Sequence, residues 1–212
     1  MYAKFLKRLF GFLLSLGMLT VLSPLLLVLT VTGAAAMKGN PFFTQARPGR
    51  HEKIFRLIKF RSMTNEKGPD GKLLPDSQRL KPYGRFLRAS SLDELPELFN
   101  ILLGQMALVG PRPLLVQYLP YYTEEEKHRH DVRPGLTGLA QVNGRNLIGW
   151  DERLRYDTEY VKHITFAGDM RIVLKTIRKV FTHEDLAVDT DTAETYLDEE
   201  RRGALHDQSI RD

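Results

Sequence analysis

Asp93 and Glu94 stand side by side in "SSLDELPELFN" (Ser90–Asn100), with Ser91 two residues before the aspartate and Pro96 three after it. An ionised carboxylate at a helix start can cap the helix, bind a divalent cation or attack an electrophilic phosphorus. With Ser91 as the cap, Glu94 completes a capping box. Pro96 fits only within the first helical turn, which moves the helix start toward Asp93 itself or kinks the helix. In either arrangement, free backbone N–H groups and the positive end of the helix dipole stabilise the Asp93 anion. Capping accounts for one acid of the pair, and the second asks for chemistry.

Cations suited to phosphate lie elsewhere in the chain. Arg112 falls between Pro111 and Pro113 in "LVGPRPLL", so its backbone is held extended and its guanidinium is mounted for a bidentate grip. In "HEKIFRLIKFRSM" the two-residue period of a strand puts Phe55, Leu57, Lys59, Arg61 and Met63 on one face, so Lys59 and Arg61 point the same way. Two solvated cations on a strand would show the same pattern. "RPGLTGLAQVNGRN" (Arg133–Asn146) packs glycines and an Asn-Gly turn around Gln141, Asn143 and Arg145, and such loops let backbone donors approach a ligand closely. Asp157 lies on the apolar stripe of a helix with Trp150, Leu154, Val161 and Ile164. A carboxylate there needs either a buried arginine as partner or a job.

Other patterns carry less. Asp189-Thr190-Asp191 has the spacing of a metal-binding Asp-x-Asp but sits in an acidic tail. His128 and His130 lack a third ligand at suitable spacing. Neither a Walker A loop nor a Gly-x-Gly-x-x-Gly fingerprint is present.

The elements that must position these groups are partly legible. A short strand over Phe42–Gln45, a turn over Arg47–Arg50 and a strand over Lys53–Met63 read as a hairpin. Thr64–Gly84 reads as a loop that covers a site, with helical pattern resuming at Arg85. "ELFNILLG" reads as a short buried helix ending at Gly104. A helix over about Asp169–Thr182 places Ile172, Val173, Ile177, Val180 and Phe181 on one side and Arg171, Lys175, Arg178 and Lys179 on the other, a basic face for headgroups or for water. From Glu184 the composition turns acidic and polar, as in a flexible tail with room for a short helix.

The 212 residues fit one core of ordinary size plus an appendage, and a net charge of +5 suits acidic partners. Without cysteine there is neither a disulfide framework nor a thiolate metal site. Leu9–Met37 carries no charge and would run ~43 Å as one helix, longer than a ~30 Å hydrocarbon core. Ser23-Pro24 divides it into arms of ~20 Å, too short to span alone. Basic residues flank both ends, which favours a helix that enters, bends at Ser23 and Pro24, and leaves by the same face. A spanning helix is the simpler reading. A signal peptide would end at Ala34–Ala36, but the apolar run is too long for one.

In order along the chain, "KFRSM", "SLDELPELFN", "LVGPRP" and "RPGLTGLAQVNGRN" resemble the bacterial sugar transferase family, specifically the small monotopic phosphoglycosyl transferases. The resemblance runs from the N-terminal hairpin to about residue 180. "RPLLVQYLPYY" and "KHRHDVRPG" look most like the enzymes that begin N-linked glycan assembly with diacetylbacillosamine phosphate.

The resemblance implies a two-step exchange. Asp93 attacks the β-phosphorus of a UDP-sugar and expels UMP, and polyprenyl (undecaprenyl) phosphate then takes the phosphosugar. Mg²⁺ is expected beside Asp93. Glu94 would tune the dyad or assist proton transfer, Lys59 and Arg112 would hold phosphates, Asp157 would lie near the dyad, and Arg145 would meet nucleotide or phosphate. The family also carries the Ser-Pro bend, so the resemblance implies a re-entrant N-terminal segment in preference to a spanning one. The expected fold is α+β and mostly helical: a re-entrant membrane hairpin over 1–38, a compact catalytic domain over 39–183 with a short β-hairpin and amphipathic interfacial helices, and a flexible acidic tail over 184–212. The domain is expected on the cytoplasmic face of the bacterial plasma membrane. Its partners would be UDP-sugar, polyprenyl phosphate and the bilayer, with no nucleic acid, and a homodimer is left open. Two rival readings stand beside it. One is a non-catalytic, membrane-anchored basic binding module, and the other is a UDP-sugar pyrophosphatase that uses the same dyad on water.

Overall fold

The computed structural model describes residues 2–144, 148–182 and 196–202. A π-helical turn, Tyr2–Leu6, leads into helix α1 (Lys7–Val21) and then α2 (Ser23–Met37), which is bent from α1 by 65°. Proline explains the break. Pro24 has no N–H to give the carbonyl of Thr20, and the Ser23 hydroxyl donates to that oxygen at 2.8 Å instead. Leu13, Leu16, Val21, Leu27 and Val31 stay exposed around both arms. Among the described residues no single helix is long and apolar enough to cross a membrane.

Strands β1 (Phe42–Pro48) and β2 (Ile54–Phe60) form an antiparallel pair, with Phe43 opposite Lys59. The hairpin expected from sequence is there, but β2 stops at Phe60. The Arg61 amide donates to the Pro41 carbonyl at 2.7 Å, and the chain then turns away. Phe55 and Leu57 point inward as expected, and Lys59 shares their face. Phe60, on the opposite face, is also buried, against Leu29 of α2 and Leu87 of a later helix. The segment read as a loop is partly structured. Lys67 bridges Leu73, α3 spans Asp76–Arg79, and α4 (Pro82–Ala89) starts at a proline in its first turn.

After a 3₁₀ turn at Leu92–Glu94 come α5 (Glu97–Leu102), β3 (Ala107–Val109), α6 (Glu124–Lys127), β4 (Gly135–Thr137), α7 (Leu139–Asn143), α8 (Trp150–Lys162) and α9 (Phe166–Thr182). β3 and β4 pair in parallel. Their glycines have a packing purpose. A Cβ on Gly135 would fall 2.1 Å from the Gly110 nitrogen, and one on Gly138 would fall 2.2 Å from the Gly110 carbonyl oxygen. Those two glycines therefore serve close contact between backbones.

The core joins the N-terminal hairpin to the rest of the chain. Leu19 of α1 packs with Phe55, Leu57, Leu98, Ile101 and Met106. Asn100 fastens α5 to β2, accepting from the Ile58 amide at 3.0 Å and donating to the Arg56 carbonyl at 2.8 Å. Lys59 is thereby fixed over the start of α5. Helix α9 begins at Phe166, three residues earlier than read. Ile172 is buried, whereas Phe166, Met170, Leu174 and Ile177 form an exposed apolar stripe, so Ile177 falls on the face opposite to the one expected.

The described part of the tail is packed against the domain rather than loose. Residues 197–202 are helical, and Leu197 is fully buried with Leu114, Tyr118, Trp150 and Leu154, a burial worth about 1.5–3 kcal/mol. Arg201 ties the segment down through Glu126, at 2.6 and 2.7 Å, and Asp151 at 3.0 Å.

Candidate active site

Two separate stretches of chain converge on one carboxylate oxygen of a third. Lys59 Nζ from β2 lies 2.8 Å from Glu94 Oε1, and Arg112 Nη2, held between its two prolines, lies 2.9 Å from the same atom. Lys59 also reaches Glu97 Oε1 at 3.1 Å. Burial disfavours the charge on Glu94, but Arg112 and Lys59 outweigh it and hold this carboxyl well below the ordinary range. Glu97 has no such surplus. Burial pushes it up to about 7, and the neighbouring Glu94 charge works against what Lys59 gives back.

The capping box expected at Ser91 does not form. Ser91 takes a left-handed backbone (φ 55°), its hydroxyl caps nothing, and the Glu94 side chain is committed to the two cations. Asp93 lies in the first turn of the 3₁₀ segment Leu92–Glu94. Among the described residues its half-buried carboxylate makes no hydrogen bond or ion pair. Burial and then Glu94 raise its proton affinity, while Lys59, Arg112 and Arg88 oppose the rise. A more basic carboxylate without a protein partner is a better nucleophile than a paired one.

Asp93 opens into a cleft of about 440 Å³ that is also lined by Lys59, Arg47, Arg88, Arg112 and Asp157. Arg88 is aimed by its Nε bond to Ser62 Oγ at 3.0 Å. Arg47 is pushed down to about 10 by burial and then by Arg112, and its buried Nε has no partner. A cluster of guanidinium and ammonium groups with an orphaned donor suits a diphosphate.

Asp157 is spoken for. Only 2% exposed, it accepts from Arg129 Nε at 3.1 Å and Nη2 at 2.8 Å, which realises the buried-arginine alternative. Burial raises its proton affinity and Arg129 offsets part of the rise. The same Arg129 Nη2 donates to the Arg112 carbonyl at 2.7 Å. The acid on the helical stripe thus supports the mount of a cleft-lining arginine.

Arg61 does not join these groups. Its Nη2 donates to the Phe42 carbonyl at 3.3 Å, beyond the end of β2, and it does not line the cleft. Arg145, Asp189 and Asp191 lie outside the described residues. His128 faces Asp131 at 2.8 Å, while His130 is buried and pushed down to about 4 by burial and then by Arg129. Glu97, Arg47, Arg88 and Arg129 were not anticipated. Glu97 had one usable signal: it sits three residues after Glu94, so on helical backbone a cation facing one meets the other.

Among the described residues no cluster of three acidic or histidine side chains could cage a metal. Mg²⁺ usually takes one or two carboxylates together with substrate phosphates and water, and partnerless Asp93 fits that requirement.

The chain is 47% identical over 182 residues to the uncharacterized sugar transferase EpsL of Bacillus subtilis, covering 85% of this chain and 90% of that protein. It is 38% identical over 204 residues to the undecaprenyl-phosphate galactose phosphotransferase of Salmonella typhimurium, and 37% identical over 188 residues to the UDP-glucose:undecaprenyl-phosphate glucose-1-phosphate transferase of Klebsiella pneumoniae. The matches cover 86% and 84% of this chain but only 42% and 40% of those longer proteins. The family model described as bacterial sugar transferase matches residues 2–183, a span that holds the dyad turn, the Pro-Arg-Pro mount and the buried arginine pair behind it. The chain belongs to the bacterial sugar transferase family.

Proposed function

We propose that this sugar transferase moves a sugar 1-phosphate from a UDP-sugar to undecaprenyl phosphate through a covalent phosphosugar on Asp93. The observation that carries the reading is the division of labour in the acid pair: Glu94 is bound by two cations, and Asp93 is left without a partner in the same cleft. In the first step an Asp93 oxygen bonds to the β-phosphorus, the bond from that phosphorus to the bridging oxygen breaks, and UMP departs with the electron pair. In the second, an oxygen of undecaprenyl phosphate bonds to the same phosphorus, and the Asp93 carboxylate is released. Lys59, Arg112, Arg88 and Arg47 hold the phosphate oxygens on which charge develops. Glu94 stays ionised between its cations, so its part is to tune Asp93 and orient Lys59 and Arg112 rather than to carry a proton. When bound at Asp93, Mg²⁺ would screen the diphosphate.

The bent α1–α2 pair is read as a re-entrant hairpin, with the stripe of Phe166, Met170, Leu174 and Ile177 lying at the interface. The catalytic domain then sits on the cytoplasmic face of the bacterial plasma membrane. The donor is read as UDP-diacetylbacillosamine from the resemblance around "RPLLVQYLPYY". UDP-galactose and UDP-glucose are the natural comparators, given the relatives' names.

The test is intact-mass analysis of detergent-solubilised protein mixed with Mg²⁺ and each UDP-sugar, without acceptor. The expected result is a phosphosugar adduct in the wild type with one equivalent of UMP, no adduct in Asp93→Asn, and loss of the adduct on adding undecaprenyl phosphate. Turnover with no adduct at any time would overturn the covalent step. Continuous UMP release without lipid would assign a pyrophosphatase instead.

A further inference from the structure

The foot of α1 encloses a second cavity, of about 380 Å³, that shares no lining residue with the catalytic cleft. Arg8, Arg50 and Arg133 line it, beside the apolar Ile101 and Met106. Backbone carbonyls fix all three guanidiniums. Arg8 Nη1 and Nη2 donate to Ile101 and Leu102 at 2.5 and 2.8 Å, Arg133 Nε to Gly104 at 2.7 Å, and Arg50 Nε to Asp131 at 3.0 Å.

Those bonds orient the charges without neutralising them. Among the described residues no carboxylate pairs with Arg8, Arg50 or Arg133. Asp131, at the rim, gives its carboxylate to His128 at 2.8 Å, and the neighbouring Lys7 is taken by Asp169 at 2.8 Å. Burial, and then repulsion from Arg8 and Arg50, holds Arg133 below the usual arginine range, so Arg133 stands close to both of the other charges. Like charges on fixed, partly buried mounts are costly unless an anion joins them. Guanidinium forks match phosphate oxygens.

We propose that this cavity holds the phosphate group of an anionic membrane phospholipid, at a site separate from the one where the acceptor lipid reacts. The surroundings favour a lipid over a free anion. Phe5, in the turn between the lining residues Ala3 and Lys7, is 73% exposed, and Leu103, next in sequence to the carbonyls that Arg8 and Arg133 hold, is 67% exposed. The cations thus begin where an apolar surface ends, which is the level of headgroups. A phosphate there would bridge the first turns of α1 to the C-terminal end of α5. The headgroup depth rests on the membrane association proposed above, whereas the anion site does not.

The experiment titrates the full chain in neutral detergent with short-chain phosphatidylglycerol, short-chain phosphatidylcholine or inorganic phosphate, and reads the unfolding temperature and bound lipid by native mass spectrometry. Phosphatidylglycerol is expected to raise the unfolding temperature saturably by roughly 2–4 °C and to stay bound through desolvation, with phosphatidylcholine giving no shift. Arg50→Gln removes one exposed side chain with a single carbonyl contact. It should leave the lipid-free unfolding temperature unchanged and lose roughly half of the lipid shift, with Arg133→Gln deepening the loss. An undiminished shift in the Arg50→Gln, Arg133→Gln double variant overturns the site. An inorganic phosphate response equal to that of phosphatidylglycerol overturns the lipid assignment. Turnover is not read, so the outcome is independent of sugar-phosphate transfer.

Discussion

Arg129 donates from both Nε and Nη2 to a single oxygen of Asp157, at 3.1 and 2.8 Å, with 2% and 3% of the two side chains exposed. Removing one partner strands a buried charge. Asp157→Ala should destabilise the protein by about 3–5 kcal/mol. The double replacement Arg129→Met, Asp157→Leu should recover most of that in thermal unfolding. Activity should not recover with it, because the Arg112 carbonyl loses its 2.7 Å donor and the Pro-Arg-Pro mount loosens. Recovery of both together would reduce the pair to packing.

Asp93→Asn should separate catalysis from stability. The carboxylate has no protein partner among the described residues, so the unfolding temperature should stay within about 2 °C of wild type, while UMP release falls by at least ~10³-fold. Glu94→Gln should behave differently, lowering stability as well as rate, because Lys59 and Arg112 both lose the charge they share. Parallel melting curves and UMP assays on the two variants check this.

Glu97 gives a pH signature. Its ordinary value is 4.5 and the fold raises it to about 7, so in this window the folded protein holds a proton that the unfolded chain has released. The contribution from this group is complete below pH 4.5 and is lost as pH rises toward about 7. Asp93, also raised, slopes the same way; Glu94, held low, acts oppositely and only as pH falls below 4.5. Glu97→Gln should therefore flatten the decline, with its advantage over wild type growing by on the order of 2 kcal/mol across the window. Denaturant midpoints of both proteins at the two ends of that range test it, and a constant difference would refute it.

Leu197 should matter although it lies beyond the family match. It is fully buried among Tyr118, Trp150 and Leu154, so Leu197→Ala should cost about 2–5 kcal/mol in denaturant unfolding. A loss below about 0.5 kcal/mol would mean that the docked segment is not held in solution.

What could be read from sequence was what local rules encode. A two-residue period put Lys59 inside, a proline on each side stiffened Arg112, and Ser23-Pro24 marked the bend. Relationships made by long-range packing could not be read. Arg129 meets Asp157 across 28 positions and Lys59 meets Glu94 across 35, with no local pattern to announce either pair. The reading of α9 missed for another reason: the helix has apolar residues both toward the core, as at Ile172, and away from it, as at Leu174, so one apolar stripe was too simple a template. Arg61 followed the strand's alternation on paper, but the strand ends one residue before it.

The turn bearing Asp93 continues through Leu95 and Pro96, both in helical conformation, into α5, which is stacked on α1 through contacts such as Gly11 against Ile101. No flexible spacer separates Asp93 from helix α1, so its standoff from that helix is set by packing, as in a jig. For the proposed attack by Asp93, a donor or acceptor that carries its phosphorus at another distance from α1 is then out of reach, however well its sugar or its tail is recognised.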